Sequence, residues 1–216
     1  MSSMSYKYLW WLLVGLALLV APLVVYPLFM IKILCAALLA ASVNFLVGYA
    51  GLLSFGHAMF FGSAGYITGY VLKTWTGDGL IGILAGVLVS AAIGWVTGLL
   101  AIRRQGVYFS MITLAFAQVI YFLALRLPFT GGEDGLQNVP RPSFLGLVET
   151  TDHQSLYFVV LAIVGLGFWF IWRIVNSPFG QVLTAIRDNE PRAMSLGYRV
   201  NRYKLIAFTL SAAIAG

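Results

Sequence analysis

Long uncharged stretches dominate the pattern of hydrophobic and polar positions along this chain. Long segments without a charged residue include 8–31, 33–72, 105–125 and 155–172, and the segment 74–102 carries only Asp78. A membrane helix needs about 20 apolar residues, so the stretch 33–72 is long enough for two helices. The pattern therefore predicts six full spans and the start of a seventh, near 9–31, 33–49, 52–72, 80–102, 107–125, 156–175 and from 205 onward.

The first and the last predicted spans each lead to a further prediction. The first apolar stretch follows Lys7 and is either a signal peptide or an uncleaved anchor. Its length, and the lack of a small-x-small cleavage site after it, favour the anchor. Residues 205–216 would rise only about 18 Å as a helix, short of the roughly 30 Å hydrocarbon core. We expect this span to continue beyond residue 216.

Composition supports a membrane protein. Of the 216 residues 61% are hydrophobic and 9% are charged, whereas soluble domains average about 25% charged residues. A water-soluble enzyme or DNA-binding domain is therefore excluded, and the net charge of +6 is assigned to topology rather than to nucleic acid. The single cysteine, Cys35, excludes an intramolecular disulfide and a cysteine-clustered metal site. The predicted fold class is an all-α polytopic membrane protein.

The two long loops differ in basic residues. Loop 126–154 has two, Arg126 and Arg141, whereas loop 176–204 has five. Basic residues accumulate in cytoplasmic loops, so 176–204 is predicted to be cytoplasmic and 126–154 to lie outside. Alternation then places the N-terminus in the cytoplasm, with Lys32 as an exception on the outer side.

Small residues are frequent in the predicted spans. Three GxxxG pairs allow close helix approach, at Gly65–Gly69, Gly82–Gly86 and Gly94–Gly98. The segment 48–65 contains five glycines and predicts a broken or re-entrant helix. Irregular backbone at membrane depth needs surrounding protein or a wet cavity.

Polar side chains at span depth are candidates for a translocation path. His57 either bonds to a neighbouring helix or lines the path, and both readings stay open here. Ser110, Thr113 and Gln118 lie near one helix face, where they line a pathway or bond between helices. The candidate path residues are Asn44, Ser54, His57, Ser63, Ser110, Thr113 and Gln118.

Catalytic and metal-binding patterns are missing from the sequence. It contains no phosphate-binding GxxxxGK[ST] loop and no HExxH pair. Ser54 and Ser63 flank His57 without a carboxylate nearby, so a hydrolytic triad is not predicted. We assign no catalytic residue, no metal ligand and no cofactor. Because the spans lack charged groups that would couple transport to ions, uphill transport would need energy from another subunit.

The loop 176–204 contains signals for two short helices. Residues 181–187 form the first, and Asn189 is a candidate N-cap for a second at 190–196. Pro191 suits its first turn and Gly197 its C′ position. This loop is either a docking element for a partner or an ordinary amphipathic connector.

Several motifs in this order resemble a known family. They are Gly48-Tyr-Ala-Gly-Leu-Leu-Ser-Phe-Gly-His57, Thr130-Gly-Gly-Glu-Asp-Gly-Leu136, Ala185-Ile-Arg-Asp-Asn-Glu190, Ser195-Leu-Gly197 and Tyr203-Lys-Leu-Ile-Ala-Phe208. Together they resemble the M-type permeases of branched-chain amino acid ABC importers, over residues 36–216. The resemblance implies a single transmembrane permease domain over 1–216, incomplete at its C-terminus, in a bacterial inner membrane.

The family's partners and sites follow from the resemblance. It implies a second related permease, two cytoplasmic ATPases that bind the ATP, and a periplasmic substrate-binding protein. Loop 176–204 corresponds to the ATPase-coupling segment, with coupling candidates Arg187, Asp188, Glu190, Ala193 and Gly197. Pro191 and Arg192 depart from the family's pattern there, which puts the docking contacts in doubt. Glu133 and Asp134 would face the binding protein.

The resemblance implies a transport subunit for leucine, isoleucine or valine rather than an enzyme. Related permeases carry urea or short amides, so these solutes remain an alternative. A stand-alone channel for a small neutral solute is a second alternative, because uncharged, glycine-rich spans suit that function too. An intramembrane enzyme has no catalytic residues to support it.

Overall fold

The structure is a computed structural model of a helical bundle. It describes residue 15 and the ranges 18–23, 25–75, 77–104, 106–144, 148–149 and 152–216. Part of the first predicted span, 9–31, lies outside the described residues, namely 9–14, 16, 17 and 24. The helices are α1 Pro27–Phe45, α2 His57–Thr74, α3 Gly79–Ala101, α4 Val107–Arg126, α5 His153–Val175, α6 Pro178–Asp188, α7 Glu190–Ser195 and α8 Val200–Ala215.

Apart from two-residue strands in one loop, the described elements are helical, as the sequence predicted. Strands β1 (Ser143–Phe144) and β2 (Val148–Glu149) pair antiparallel, with Ser143 opposite Glu149. Four helices of the described part are long and apolar enough to cross a membrane: Pro27–Ala50, Gly79–Ala101, Val107–Arg126 and His153–Val175. The other three predicted spans remain predictions.

The predicted boundary between the first two spans was wrong. We placed it at Lys32, but α1 begins at Pro27 and continues through Lys32 to Phe45. Proline suits the first turn of a helix, where its missing N–H costs nothing, and Tyr26 before it is not helical. A lysine near a helix end keeps its ammonium in water along a flexible stem, so it need not interrupt a span.

The starts of two further spans also moved. The span predicted over 52–72 begins at His57, because Gly51–Gly56 is not helical. The last helix begins at Val200 rather than at residue 205. This earlier start is possible because Lys204 is paired with Glu190, at 2.7 Å, so its charge is accommodated inside a packed helix.

The GxxxG pairs of α3 are sites of close helix approach. A Cβ at Gly86 would lie 2.6 Å from the Oγ1 of Thr68 in α2, and one at Gly94 would collide with the Cβ of Ala212 in α8. A Cβ at Gly65 would meet nothing within 4 Å. Helix α3 therefore packs its small faces against two neighbours, while Gly65 mediates no close approach to any residue that the structure describes.

An aromatic cluster fills the centre of the bundle. The rings of Phe60 and Phe208 lie 5.6 Å apart, and those of Phe109 and Phe208 lie 5.7 Å apart, both edge to face. Such pairs add about 0.5–1.5 kcal/mol beyond the area they bury. The cluster joins α2, α4 and α8 around the candidate site.

Contacts between connections identify the two ends of the bundle. At one end Lys73 Nζ donates to the carbonyl of Gln137 at 3.1 Å, and Ser143 N–H donates to the carbonyl of Gly77 at 3.0 Å. Loop 126–154 therefore covers the ends of α2 and α3. At the opposite end lie the 51–56 connection, the 102–106 connection and segment 176–199.

Candidate translocation and coupling sites

The glycine-rich segment connects two helices at the end of the bundle that carries segment 176–199. Helix α1 ends in a π-helical turn, Leu46–Ala50, and the chain then runs irregularly from Gly51 to Gly56 before α2 begins. Gly51 has φ +68°, which favours glycine, and a Cβ at Gly56 would collide with the carbonyl of Thr113. The predicted irregular backbone is present, but it joins α1 to α2 rather than interrupting the 52–72 span.

Ser110 and Thr113 form hydrogen bonds to the backbone of this connection. Ser110 Oγ donates to the carbonyl of Leu53 at 2.6 Å, and Thr113 Oγ1 accepts from the N–H of Phe55 at 3.3 Å. Backbone groups without helical partners need such bonds in an apolar environment. Of the two readings of these residues, the geometry therefore supports bonds between elements. Ser54 is also buried, and its Oγ accepts from the N–H of Gly56 at 3.3 Å.

His57 is buried and bonded to the last helix. Its Nε2 lies 2.8 Å from the Oγ of Ser211, which donates its own proton to the carbonyl of Ser42 at 2.7 Å. A hydroxyl has a single proton, so Ser211 accepts from His57 and Nε2 carries a proton. Among the described residues Nδ1 has no hydrogen-bond partner. This placement supports the packing reading of His57.

A cavity of about 470 Å³ lies between α2, α3 and α4. Ser63, Tyr66, Gln118 and Tyr121 supply polar groups to a lining that is otherwise mostly apolar. Of the seven candidate path residues, the structure brings only Ser63 and Gln118 to this cavity. Asn44 is exposed on α1 and is not among the residues that line the cavity.

The turn that follows α4 is built by glycines and one buried threonine. Thr130 Oγ1 lies 2.5 Å from the carbonyl oxygen of Ala124 and 2.6 Å from that of Leu127, so the two carbonyls share its single proton. Gly131 has φ +82°, and a Cβ there would collide with the carbonyl of Gly135. The sequence motif 130–136 thus forms a compact turn that exposes the carboxylates of the two predicted docking residues. These are Glu133 and Asp134.

Segment 176–204 folds as the sequence predicted. Helix α6 covers the predicted 181–187, and α7 begins after Asn189, whose side chain accepts from the N–H of Arg192 at 3.0 Å. Gly197 has φ +89° and ends α7, with its N–H donating to the carbonyl of Met194 at 2.9 Å. The N-cap and C′ assignments are confirmed.

Glu190 and Arg187 attach this segment to the bundle, the first through an ion pair and the second through a bond to a backbone carbonyl. Glu190 Oε2 accepts from Lys204 Nζ at 2.7 Å, and the lysine side chain is 8% exposed. Arg187 forms an ion pair with Asp188 at 2.9 Å and also donates to the carbonyl of Gly48. The fifth coupling candidate, Ala193, is buried beside Ile186 and Val200.

Sequence reasoning missed three residues of these sites. Ser42 and Ser211 lie in apolar runs without a distinguishing pattern, and Lys204 was counted only as a topology determinant. A lysine at the start of an apolar helix, 14 positions after a glutamate, was the one available signal.

Comparison with known proteins decides the family. The profile of the family described as "Branched-chain amino acid transport system / permease component" matches residues 26–216. The chain belongs to this family. With its four apolar helices, this membership identifies a multi-pass membrane protein.

Curated relatives support the same family assignment. The chain is 32% identical over 207 residues to the high-affinity branched-chain amino acid transport system permease protein LivM of Salmonella typhimurium, covering 83% of this chain and 48% of that protein. It is 30% identical to LivM of Escherichia coli K12, with the same coverage. The chain thus spans about half the length of these relatives.

A more distant relative transports a different solute. The autoinducer 2 import system permease protein LsrC of Klebsiella pneumoniae is 29% identical over 133 residues, which are 59% of this chain and 35% of that protein. No solved structure matches the chain.

Proposed function

We propose that this chain is the permease subunit of an ATP-driven ABC importer that carries branched-chain amino acids across the bacterial inner membrane. The observation that carries the proposal is the geometry of segment 176–204. A short capped helix, α7, is held against α8 by the Glu190–Lys204 pair, and the preceding helix α6 is linked to the end of α1 through Arg187. A rigidly attached helix can pass the movement of a partner to the membrane helices, whereas a flexible connector cannot.

In this proposal the chain supplies the path and other subunits supply recognition and energy. Two cytoplasmic ATPases bind ATP and dock on 176–204, where Asp188 and Gly197 are exposed. The other coupling candidates, Arg187, Glu190 and Ala193, hold this docking segment in place through contacts within the permease. A second, related permease completes the transmembrane unit. A periplasmic binding protein docks on loop 126–154 near Glu133 and Asp134, and the N-terminus is cytoplasmic, in accord with the five basic residues of 176–204. The chain itself uses no cofactor and catalyses no reaction.

The cavity is the part of the chain best suited to contact the solute. Its volume of about 470 Å³ lies in the range of small-molecule sites, and its lining combines apolar surface with a few polar groups. An aliphatic side chain with a zwitterionic head suits such a lining. The relatives that carry branched-chain amino acids support the same solute class.

Companion subunits provide the decisive test. The full gene product is expressed with its genomic neighbours, pulled down from detergent-solubilised membranes and analysed by mass spectrometry. We expect an ATPase and a second permease to be recovered with it. A product that purifies alone, and conducts solute alone in liposomes, would contradict the importer and establish the channel.

Substrate choice needs a separate measurement, because the Klebsiella relative imports autoinducer 2. The complete complex in proteoliposomes is supplied with its binding protein and with labelled leucine, urea or acetamide in turn. ATP-dependent uptake of leucine but not of the other two is the expected result. Uptake of urea or acetamide without uptake of leucine would show that the transported solute is urea or a short amide rather than a branched-chain amino acid.

A further inference from the structure

Arg187 connects the last turn of α6 to the end of α1. Its Nη1 donates to the carbonyl of Gly48, while its Nε and Nη2 donate to Asp188 Oδ1 at 3.1 and 2.9 Å. Two N–H groups on one edge of the guanidinium thus bond to a carboxylate of its own helix, and a third N–H bonds to a different element. This arrangement suits the planar, multiply donating guanidinium and not an ammonium.

The carbonyl of Gly48 is a favourable target for a cation. It lies in the π-helical turn that ends α1, where the chain leaves the helix at Gly51. The last carbonyls of a helix lack intrahelical partners and carry the negative end of its dipole. The N–H groups of Gly51 and Leu52 both donate to Leu46, so neither satisfies Gly48.

Apolar contacts support the same junction. A Cβ at Gly51 would lie 2.9 Å from Cγ of Arg187, so the arginine stem passes directly over this glycine. Leu183, one turn earlier in α6, is fully buried in the cluster that contains Leu46 and Ala50. Helix α6 therefore rests on the π-helical turn through both polar and apolar groups.

The junction continues toward the cavity through the 51–56 connection. This connection is bonded to α4 by Ser110 and Thr113 and leads directly into α2. Helices α2 and α4 contribute Ser63 and Gln118 to the cavity lining. A continuous set of packed contacts thus runs from α6 to the cavity wall.

We propose that Arg187 is a positioning residue that fixes segment 176–204 to the end of α1, so that the two move as one unit. Its guanidinium is directed into the permease, and it acts on transport by delivering movement of the segment to the 51–56 connection and α2. This inference rests on the proposed function, because it assigns Arg187 a part in coupling ATP hydrolysis to uptake.

The first test compares Arg187→Gln and Arg187→Lys with Arg103→Gln. Arg103 is an exposed arginine on the same end of the bundle, outside the segment. In the complete complex, Arg187→Gln should lower solute uptake per ATP hydrolysed on the order of tenfold, the effect of losing about 1.4 kcal/mol of charge-assisted bonding. ATP hydrolysis and assembly with the ATPases should remain. Arg187→Lys should restore only part of the solute uptake per ATP hydrolysed. Arg103→Gln should have the same uptake per ATP hydrolysed as the unmodified complex.

The second test replaces the arginine bond by a covalent one. A Cβ at Gly51 would lie 3.6 Å from Cβ of Arg187, within the range that a disulfide spans. In a Cys35→Ser background, Gly51→Cys alone, which carries the strain of a side chain at φ +68°, should keep its coupling, whereas Gly51→Cys/Arg187→Cys should be uncoupled when reduced. The double-cysteine protein should regain uptake per ATP when oxidised, with the disulfide verified by mass spectrometry. A purely structural loss of the arginine would not be reversed by oxidation.

Three results would overturn the inference: normal coupling in Arg187→Gln, normal coupling in the reduced double-cysteine protein, or persistent uncoupling after verified oxidation. If no disulfide forms, the Arg187→Gln and Arg187→Lys pair decides. The unmodified complex separates the two proposals. If the unmodified complex shows no ATP-driven uptake, the importer proposal is contradicted. If the unmodified complex takes up solute normally and Arg187→Gln has a normal ratio of uptake to ATP hydrolysis, only the role of Arg187 is contradicted.

Discussion

The imidazole Nε2 of His57 lies 2.8 Å from the Oγ of Ser211, 154 positions later in the chain. Ser211 in turn donates to the carbonyl of Ser42 at 2.7 Å, so a single hydroxyl ties α1, α2 and α8 together. The rings of Phe60 and Phe208 pack around the imidazole at centroid distances of 5.3 and 6.2 Å. The polar link is therefore enclosed by apolar surface, where an unmade hydrogen bond is costly.

Removing the Ser211 hydroxyl should destabilise the bundle. Ser211→Ala leaves the Nε2–H of His57 without its partner and removes one of two hydrogen bonds to the carbonyl of Ser42, which still accepts from the N–H of Leu46. The expected loss is about 1–2 kcal/mol. The measurement is the midpoint temperature of unfolding in detergent. Ser63→Ala is the matched control, because that hydroxyl bonds only within its own helix, to Phe60 at 3.1 Å. Equal shifts for the two variants would contradict a linking role for Ser211.

Gly94 should tolerate no side chain, in contrast to Gly65. A methyl group at Gly94 would collide with Ala212, so Gly94→Ala should cost about 1–3 kcal/mol through overpacking between α3 and α8. Gly65→Ala places its methyl in open space and should be neutral or slightly stabilising. Thermal unfolding of both variants gives the comparison. An unchanged Gly94→Ala protein would show that the two helices are less closely packed.

The Glu190–Lys204 pair should hold α7 in place. Breaking a buried pair by removing one partner costs about 3–5 kcal/mol, and the 20% exposure of the Glu190 side chain favours the lower end. Glu190→Gln should therefore speed tryptic cleavage at two exposed arginines, Arg192 within α7 and Arg199 after it. The exchange Glu190→Lys/Lys204→Glu should restore part of the resistance. Glu133→Gln, an exposed carboxylate, serves as the control.

Gly197 should accept asparagine but not tryptophan. Its φ of +89° strains most residues by roughly 1–2 kcal/mol, asparagine less than others, although there is open space around the position. Gly197→Trp places a bulky group on the proposed docking surface, so ATP hydrolysis should continue without uptake while the binding protein still docks. Gly197→Asn should retain uptake. Normal transport by Gly197→Trp would remove this residue from the coupling role.

Filling the cavity should block uptake without unfolding the chain. Gln118 is exposed and lines the cavity, so Gln118→Trp should lower uptake strongly at an unchanged unfolding midpoint. The adjacent Val119 is 54% exposed and lies outside the cavity lining, which makes Val119→Trp the control. Uptake that responds equally to both variants would contradict a path through this cavity.

Local signals in the sequence were sufficient to predict the helices of segment 176–204. Asn189, Pro191 and Gly197 determine where α7 begins and ends, because N-caps, first-turn prolines and left-handed glycines act on neighbouring backbone groups. The apolar runs likewise predicted helices, since length and hydropathy alone decide whether a segment suits a bilayer. Lys32 shows the limit of that approach, because one charge marked a boundary that Pro27 actually sets.

The sequence by itself determined the helical membrane architecture, the irregular glycine-rich segment and the capped helix α7. Only the tertiary structure decided which polar residues face the cavity and which satisfy backbone or packing partners. Ser110 and Gln118 look equivalent along the chain, yet one bonds to Leu53 and the other lines the cavity. The physical reason is that a side chain's role in an apolar environment depends on its partner, and that partner comes from a different helix. For His57 the partner is Ser211, far along the chain, and no local pattern specifies such a pairing.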